Sequence, residues 1–229
     1  MKKVSRFRIS LFGLLILTAG IAVVIASWSR SAKRQKMLVD GIFAGGGNVA
    51  YDWQIDHAAH DFKTNATAPY PPWLVDLLGQ HYFHSVFFAQ IDLSKSEAKE
   101  LSFLRYGDSL DELSLIRGDP SGQLDSAFLP KLKRIDVSFD GTLDVSFLTK
   151  FPSLETASID ADRIVGLSAL AKLGRLNLLN LRTNHLDSPL EFGKLVQLRG
   201  ISIETFSGEP PLTDLQLQEV RTLLPSCKL

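Results

Sequence analysis

One pattern of apolar residues recurs every 22 positions along about half of the chain. Each unit reads apolar-x-x-apolar-x-apolar, and the spacing does not slip over residues 88–203. A chain with such a period folds each unit in nearly the same way, which excludes most other architectures. The six units are Phe88/Ile91/Leu93, Leu110/Leu113/Leu115, Leu132/Ile135/Val137, Leu154/Ala157/Ile159, Leu176/Leu179/Leu181 and Leu198/Ile201/Ile203.

The repeated pattern predicts one strand and one return segment in each unit. Side chains alternate across a strand, so the apolar positions of a unit lie on one face of the sheet. A single unit cannot bury that face, whereas stacked neighbours form a continuous core and a parallel sheet. The sequence therefore predicts an α/β solenoid of about six 22-residue repeats over residues 86–211, with the parallel sheet on its concave face.

The charges are separated along the chain although they cancel in total. The 25 basic and 25 acidic residues give a formal net charge of zero. Residues 1–36 carry eight of the basic residues and no acidic one, which leaves a net charge of −8 on the rest of the chain. A short basic end on an acidic body is typical of membrane association. The acidic body also argues against nucleic acid as a partner, because phosphate binding needs clustered Lys and Arg.

A run of uncharged, mostly apolar residues lies between Arg8 and Arg30. At roughly 1.5 Å rise per residue, residues 9–28 can cross a hydrocarbon layer of about 30 Å as one transmembrane helix. Trp28 lies where interfacial aromatic residues occur, and basic clusters flank both ends of the run. A cleaved signal peptide is the alternative, with Ala26-Ser27 as a weak cleavage site, but its apolar region is usually only about 7–15 residues long. We expect an uncleaved single-pass anchor in the cell membrane, with the repeats outside the cytoplasm.

Glycine, proline and the charge distribution predict the remaining boundaries. The helix that leaves the membrane should end at Gly45-Gly46-Gly47, because glycine breaks helices and permits turns. The expected segments are a basic N-terminal tail (1–8), the transmembrane helix (9–28), a basic juxtamembrane helix (29–45), an N-terminal cap region (46–85), the repeats (86–211) and a C-terminal capping helix (212–229).

Both ends of a solenoid must be covered, because the last rung would otherwise expose its core. In the N-terminal cap region we expect a strand over 48–53, a loop over 54–72 and a short helix after the prolines. The residues expected to cover the first strand are Trp73, Leu77, Leu78 and Phe83. The capping helix should cover the last strand with Leu215, Leu217, Val220, Leu223 and Leu224, and Cys227 should be a small buried residue of that cap.

The positions between the buried residues of each strand form the exposed face of the predicted sheet in three columns. The first column is Gln90, Glu112, Arg134, Thr156, Leu178 and Gly200; the middle one is Asp92, Ser114, Asp136, Ser158, Asn180 and Ser202; the third is Ser94, Ile116, Ser138, Asp160, Arg182 and Glu204. Charged and apolar side chains beside a small polar column favour a recognition surface for a protein partner. The residues expected to contact that partner are Glu112, Ser114, Ile116, Arg134, Asp136, Ser158, Asp160, Leu178, Asn180, Arg182 and Glu204.

Two histidine pairs are the candidates for chemistry. The pairs His57/His60 and His81/His84 have the close spacing of metal ligands. The first pair lies in a predicted loop, and such a pair converges only in a helix, so we interpret these histidines as loop or cap residues. The sequence contains no phosphate-binding loop, metalloprotease helix or nucleophile elbow. We expect no catalytic, cofactor or metal site; the alternative is a metal-binding or enzymatic envelope protein that uses these histidines.

Several short segments carry a resemblance to a known family. They are Arg6-Phe7-Arg8-Ile9-Ser10-Leu11, Gly46-Gly47-Asn48-Val49-Ala50-Tyr51-Asp52-Trp53, Pro72-Trp73-Leu74, Ile91-Asp92-Leu93-Ser94 and the ending from Leu212-Thr213-Asp214 to Leu229. Because of these segments the chain resembles small membrane-anchored leucine-rich-repeat proteins of bacteria, of planctomycete type. The segments are spread over nearly its whole length. The Thr-Asp element that this family carries within its repeats is largely missing here except at Thr213-Asp214. The resemblance implies an anchored interaction scaffold without enzymatic activity.

Overall fold

A long apolar helix and an eight-stranded, mostly parallel sheet form the framework of this α/β molecule. The computed structural model describes residues 11–56, 61–63, 66–95, 101–186, 189–206, 213–225 and 227–228. The α-helices are α1 (Leu11–Ala44), α2 (Pro72–Leu78) and α3 (Asp214–Leu223). The strands are β1 (Asn48–Tyr51), β2 (Ile55–Asp56), β3 (Asp61–Phe62), β4 (Val86–Asp92), β5 (Glu112–Ile116), β6 (Arg134–Asp144), β7 (Thr156–Val165), β8 (Leu178–Arg182), β9 (His185–Leu186) and β10 (Gly200–Glu204).

The first half of α1 and its second half have different surroundings. The described apolar side chains from Phe12 to Ile25 are exposed, and this helix is long and apolar enough to cross a membrane. After Trp28 the same unbroken helix packs against the rest of the molecule, and Leu38 and Ile42 are fully buried. One helix therefore contains an apolar stretch that the protein leaves uncovered and a stretch that belongs to the core.

The turn after α1 is tight because the helix returns directly into the sheet. The helix ends at Ala44, before the three glycines, as the sequence predicts. The N–H of Gly47 donates to the carbonyl of Ile42 at 2.9 Å. A Cβ at Gly47 would collide with the carbonyl oxygen of Gln90, so this close approach of two backbones requires glycine. A short turn at Gly47 thus places the end of α1 directly against the first strands.

The main sheet has the order β1-β4-β5-β6-β7-β8-β10, and β9 pairs with β7. From β5 to β10 the strands pair in parallel with residues 22 positions further along, as in Arg134 opposite Thr156 and Thr156 opposite Leu178. After an irregularity between Phe139 and Thr142, the last pairs of β6 and β7 are 21 positions apart. The chain returns between strands through short 3₁₀ segments at Val145–Lys150, Leu167–Lys172 and Pro189–Lys194. The parallel sheet predicted from the apolar spacing is therefore present.

The first parallel pair departs from this spacing and corrects the predicted register. Phe88 lies opposite Glu112 and Ile91 opposite Leu115, an offset of 24 positions. The core positions of β4 are therefore Val86, Ala89 and Ile91, all fully buried. Of the predicted Phe88/Ile91/Leu93, Ile91 and Leu93 are buried, whereas Phe88 is only partly buried. The apolar pattern does not distinguish the two alignments, because residues 86–93 contain apolar residues in both. The two extra residues fall between β4 and β5, a connection longer than the others.

The core lies on one side of the sheet, as alternation along the strands requires. In β8, Leu179 and Leu181 are buried on the core side, whereas the side chain of Leu178 is 38% exposed on the opposite side. A continuous cluster of buried apolar residues runs from α1 through the sheet to α3. Its fully buried members include Ile91, Leu113, Leu115, Ile135, Ala157, Leu179, Phe151, Phe192 and Val220.

The N-terminal edge of the core is covered differently from the sequence-based expectation. Trp73, Leu77 and Leu78 are 66%, 72% and 42% exposed, so they do not cover the first strand, and Phe83 is only half-buried. The second half of α1 and the antiparallel strand β1, which pairs with β4, cover it instead. The predicted loop 54–72 also contains the paired strands β2 and β3. The prediction failed because an apolar side chain next to a strand in sequence need not contact that strand.

The C-terminal edge matches the expected helix more closely. Thr213 caps α3, since its hydroxyl accepts a hydrogen bond from the N–H of Gln216 at 3.3 Å. Val220 and Leu224 are buried against the core, whereas the side chains of Leu215 and Leu217 lie outside the described set. Lys228 then bridges to Gly200 on the edge strand β10. Cys227 is half-buried beside this bridge, and burial raises the pKa of its thiol.

Candidate functional site

The solvent-facing side of the sheet carries the residues predicted to bind a partner, and we call this side the outer face. Pairing in register brings strand positions into columns that cross the sheet. The eleven predicted residues occupy outer-face positions of β5, β6, β7, β8 and β10: Glu112, Ser114, Ile116, Arg134, Asp136, Ser158, Asp160, Leu178, Asn180, Arg182 and Glu204.

The middle column of the outer face is made of small polar side chains. It passes through Ser114, Asp136, Ser158, Asn180 and Ser202. Asn180 donates from Nδ2 to the hydroxyl oxygen of Ser158 at 3.3 Å, a hydrogen bond between neighbouring strands. Short side chains keep this part of the outer face low, so that a ligand can approach the sheet between the flanking columns.

The first column combines an ion pair with an exposed leucine. An Arg134 Nη1 lies 3.4 Å from Glu112 Oε1 across the β5–β6 pair. Both side chains are partly exposed, so water weakens the attraction and this pair contributes little to stability. The next column positions are Thr156 and then Leu178, whose side chain is 38% exposed. An exposed leucine on the outer face offers apolar contact area to a partner.

The third column changes from apolar to charged across the sheet. It contains Ile116, Ser138, Asp160, Arg182 and Glu204 in register. The guanidinium of Arg182 lies over the ring of Phe206, 4.7 Å from its centroid, and this cation–π contact holds the arginine at the surface.

Two carboxyl groups on the outer face have a raised pKa. Desolvation by burial raises the pKa of Asp136 above its usual value, although a hydrogen bond from Ser158 and the charge of Arg134 act against it. Desolvation also raises the pKa of Asp160, with Arg182 opposing and Glu204 reinforcing the shift. The chain's own cations therefore compensate these carboxylates only in part, which favours an added positive charge beside them.

Asp92 joins the outer face at a position that differs from the predicted one. Because of the 24-residue offset it lies opposite Ile116, in the third column and not in the middle one. Its buried carboxylate accepts hydrogen bonds from the hydroxyl (2.7 Å) and N–H (3.1 Å) of Ser94, and these hold its pKa below the usual value. Arg117 Nη2 lies 3.3 Å away. Arg117 has φ of +62°, a strained value for a non-glycine residue.

Sequence reasoning missed the contribution of Arg117, since it follows the strand and falls outside the three columns. Its positive φ is not legible in the sequence, because arginine rarely adopts that conformation. The same register error affects Gln90. The sequence predicts it in the first column, whereas the structure places it in the middle column, opposite Ser114. No local signal marks the shifted register, because both alignments place apolar residues at the core positions of β4.

Over the paired outer-face positions, acidic residues outnumber basic ones. Asp92 is buried and paired with Arg117 and Lys95. The other column positions carry four carboxylates and two arginines, which gives a net charge of −2: Glu112, Asp136, Asp160 and Glu204 against Arg134 and Arg182. An open cleft of about 230 Å³ lies at the middle of this surface, lined by Ser114, Ile116, Asp136, Ser138, Ser158 and Asp160. The outer face thus offers an acidic, partly apolar surface with a central depression.

The histidines do not form a comparable site within the described structure. The ring of His84 is buried between the rings of Trp53, at 5.5 Å, and Tyr70, at 5.4 Å. Its Nδ1 lies 3.9 Å from Asp52 Oδ1, and burial lowers its pKa. Burial also lowers the pKa of His81. His57 and His60 lie outside the described residues, among which no three His, Cys, Asp or Glu side chains converge to hold a metal ion.

Comparison with protein-family models finds no family that matches the chain. Comparison with curated proteins finds no matching relative. The function of the protein is therefore inferred from its own residues and their contacts.

Proposed function

We propose that the protein is a single-pass, membrane-anchored leucine-rich-repeat scaffold that binds a protein partner on the outer face of its sheet. The partner presents basic and apolar side chains, and the role requires no catalysis. The apolar half of α1 holds the molecule in the cell membrane, and the sheet lies outside the cytoplasm.

The repeat part of this proposal is supported by the period shared by sequence and pairing. Strands from β5 to β10 pair at an offset of 22 residues, within the range of about 20–29 residues for leucine-rich repeats. Buried residues recur at the same position of each unit, as Leu113, Ile135, Ala157, Leu179 and Ile201 do. The resemblance of the flanking segments to small membrane-anchored repeat proteins points the same way.

The anchor is supported by the two environments of α1. Exposed apolar side chains before Trp28 would be costly in water, whereas a bilayer covers them. The helix continues without interruption into buried residues such as Leu38, so the apolar stretch is continuous with the folded part. A signal peptide that is removed does not need this continuity, and we therefore favour the anchor.

The binding role is carried by one observation: from β5 to β10 the middle column is small and polar, between acidic and apolar neighbours. A low polar strip with raised flanks lets an extended or rounded partner approach the sheet closely. The incompletely compensated carboxylates of Asp136 and Asp160 favour cations on that partner. Ile116 and Leu178 add apolar contacts beside them.

Co-purification with the tagged full-length chain, extracted in mild detergent, tests this function. The variant Asp160→Asn/Glu204→Gln removes two outer-face charges from β7 and β10. We expect it to retain several-fold less partner than the wild type, and to bind with weaker salt dependence, because fewer charges contribute.

The matched control removes the same charge elsewhere. Asp119→Asn/Asp125→Asn changes two exposed carboxylates in the connection between β5 and β6 and should leave the partner bound. If both variants retain the same partners at every salt concentration, the outer face is not the binding surface.

A further inference from the structure

A second exposed apolar patch lies outside the sheet, on α2 and the residue that precedes it by two positions. It consists of Tyr70, Trp73, Leu77 and Leu78, which are 41%, 66%, 72% and 42% exposed. Four large apolar residues grouped on one short segment are unusual at a water-exposed surface. We call this group the α2 patch.

The α2 patch is the exposed surface of a short, mostly apolar helix. Trp73 and Leu77 are four residues apart and therefore lie one above the other on the helix surface, with Leu78 beside them. The exposed residue Asp76 is three positions after Trp73, so its side chain borders the patch on the same surface. The core does not need the side chains of Trp73, Leu77 and Leu78, because the second half of α1 and strand β1 already cover β4.

The α2 patch lies beside the point where the uncovered half of α1 ends. The indole Nε1 of Trp28 donates to the carbonyl of Tyr82 at 2.8 Å, and its ring meets the ring of Phe83 edge-on at 6.1 Å. Tyr70 in turn packs on Phe83, with ring centroids 4.8 Å apart. Tyr82 belongs to the 3₁₀ segment Gln80–Tyr82, which follows α2 after Gly79. Aromatic contacts thus join the α2 patch to the apolar stretch of α1.

We propose that the α2 patch enters the interface of the bilayer that α1 crosses, and forms a second contact between the protein and the membrane. This inference rests on the proposed anchoring role of α1. Tryptophan and tyrosine favour the headgroup region, and a short helix lying in it buries its apolar side about 5–10 Å deep. Arg30 and Lys33, exposed on α1 just past Trp28, are positioned to meet lipid phosphates at the same level.

A second contact would restrict the tilt of the sheet relative to the membrane. One helix alone allows the folded part to rotate and tilt about its point of entry. With α2 lying in the interface, α1 and α2 together define an orientation, and the outer face is presented to its partner at a constant angle.

Spin labels on the full-length chain in vesicles of phosphatidylcholine and phosphatidylglycerol test this docking. On a Cys227→Ser background, Leu77→Cys carries the label in the α2 patch. Its collision rates with oxygen, which concentrates in lipid, and with a water-soluble nickel chelate report its depth. We expect a several-fold higher ratio of oxygen to nickel collisions than for a label in water. Adding Trp73→Ser should move this label towards water.

Two matched labels separate the failure of this inference from failure of the anchor. Leu17→Cys lies in the apolar half of α1, and Val196→Cys is 78% exposed before β10, at the far end of the sheet from α1. We expect the first in lipid and the second in water. A label at position 77 in water with position 17 in lipid overturns the docking and leaves the anchor; both in water overturns both.

The remaining outcomes also decide against docking by α2. If the label at position 77 is shielded from both reagents, a protein surface covers the patch. If the label at position 196 is as deep as that at position 77, the whole molecule lies on the lipid, and α2 has no special role.

Discussion

Asp136 shows how a position in a parallel sheet alters a single carboxyl group. Its neighbours in the middle column are Ser114 and Ser158, which are small and neutral. They exclude water from the carboxylate without supplying an opposite charge, and a hydrogen bond from Ser158 and the charge of Arg134 offset only part of the lost hydration. The outer face therefore contains a carboxylate whose ionisation costs the folded state free energy.

The first prediction concerns this cost. Because the folded-state pKa of Asp136 is raised above its usual value of 3.8, the wild type loses stability as pH rises from that value through the folded-state pKa. Asp136→Asn lacks this loss. We expect the variant to have a larger free energy of unfolding than the wild type at pH 7, and the difference to shrink towards pH 3.8. Urea denaturation of the detergent-solubilised chain at several pH values measures it.

A control variant separates this effect from the general removal of negative charge. Asp125→Asn removes an exposed carboxylate that pairs with Lys150 at the surface. Such a change should alter stability by no more than about 0.5 kcal/mol at any of these pH values. A lower stability of Asp136→Asn at pH 7 would show that the carboxylate makes net favourable contacts in the folded protein.

At the scale of the element, each strand separates core residues from outer-face residues by alternation. In β8, Leu178 and Leu179 are neighbours of the same residue type, yet one side chain is 38% exposed and the other is fully buried. Composition alone cannot distinguish them. The register with β7 and β10 does, because it places Leu179 among the buried residues Ala157 and Ile201.

The second prediction uses this pair. Leu179→Ala leaves a cavity in the core and should lower the free energy of unfolding by about 2–5 kcal/mol. Leu178→Ala removes the same atoms from the outer face and should cost no more than about 0.5 kcal/mol. Urea denaturation of both variants measures the difference. Equal losses would mean that the strand does not have the two faces described.

At the scale of the whole molecule, α1 belongs to the same packed unit as the sheet. Its buried residues Leu38, Val39 and Ile42 are continuous with the apolar cluster that reaches Val220 in α3. Parts of one core unfold together when they share their contacts. The second half of α1 is therefore a structural element of the folded domain as well as its connection to the apolar stretch.

The third prediction tests whether the second half of α1 and the sheet unfold together. Leu38→Ala should destabilise the sheet by about 2–5 kcal/mol, because the lost side chain is fully buried. The matched change Val23→Ala, in the uncovered half of α1, should leave the unfolding of the sheet unchanged in detergent. Hydrogen exchange of amides in β7 and β8 measures both. Normal protection of these amides in Leu38→Ala would show that α1 unfolds independently of the sheet.

Most of the sheet could be predicted from the sequence because its information is local and repeated. Each unit from β5 to β10 has apolar residues at the same positions, and a constant spacing between them places equivalent residues opposite one another. The outer-face positions of these strands follow from alternation, and the candidate binding residues lie at those positions, where Ser114 is buried. The apolar stretch and end of α1 are local features too.

Two features depended on contacts between distant residues, which local patterns in the sequence do not determine. The extra two residues before β5 shifted Asp92 by one column, since a longer connection does not change the alternation within either strand. Leu38 and Ile42 of α1 cover the core edge that Trp73 and Leu77 were expected to cover. A local apolar pattern shows that a side chain is suited to burial, but it does not show which part of the chain the side chain packs against. That choice depends on which parts of the chain meet in space, as Trp28 meets Tyr82 across 54 positions.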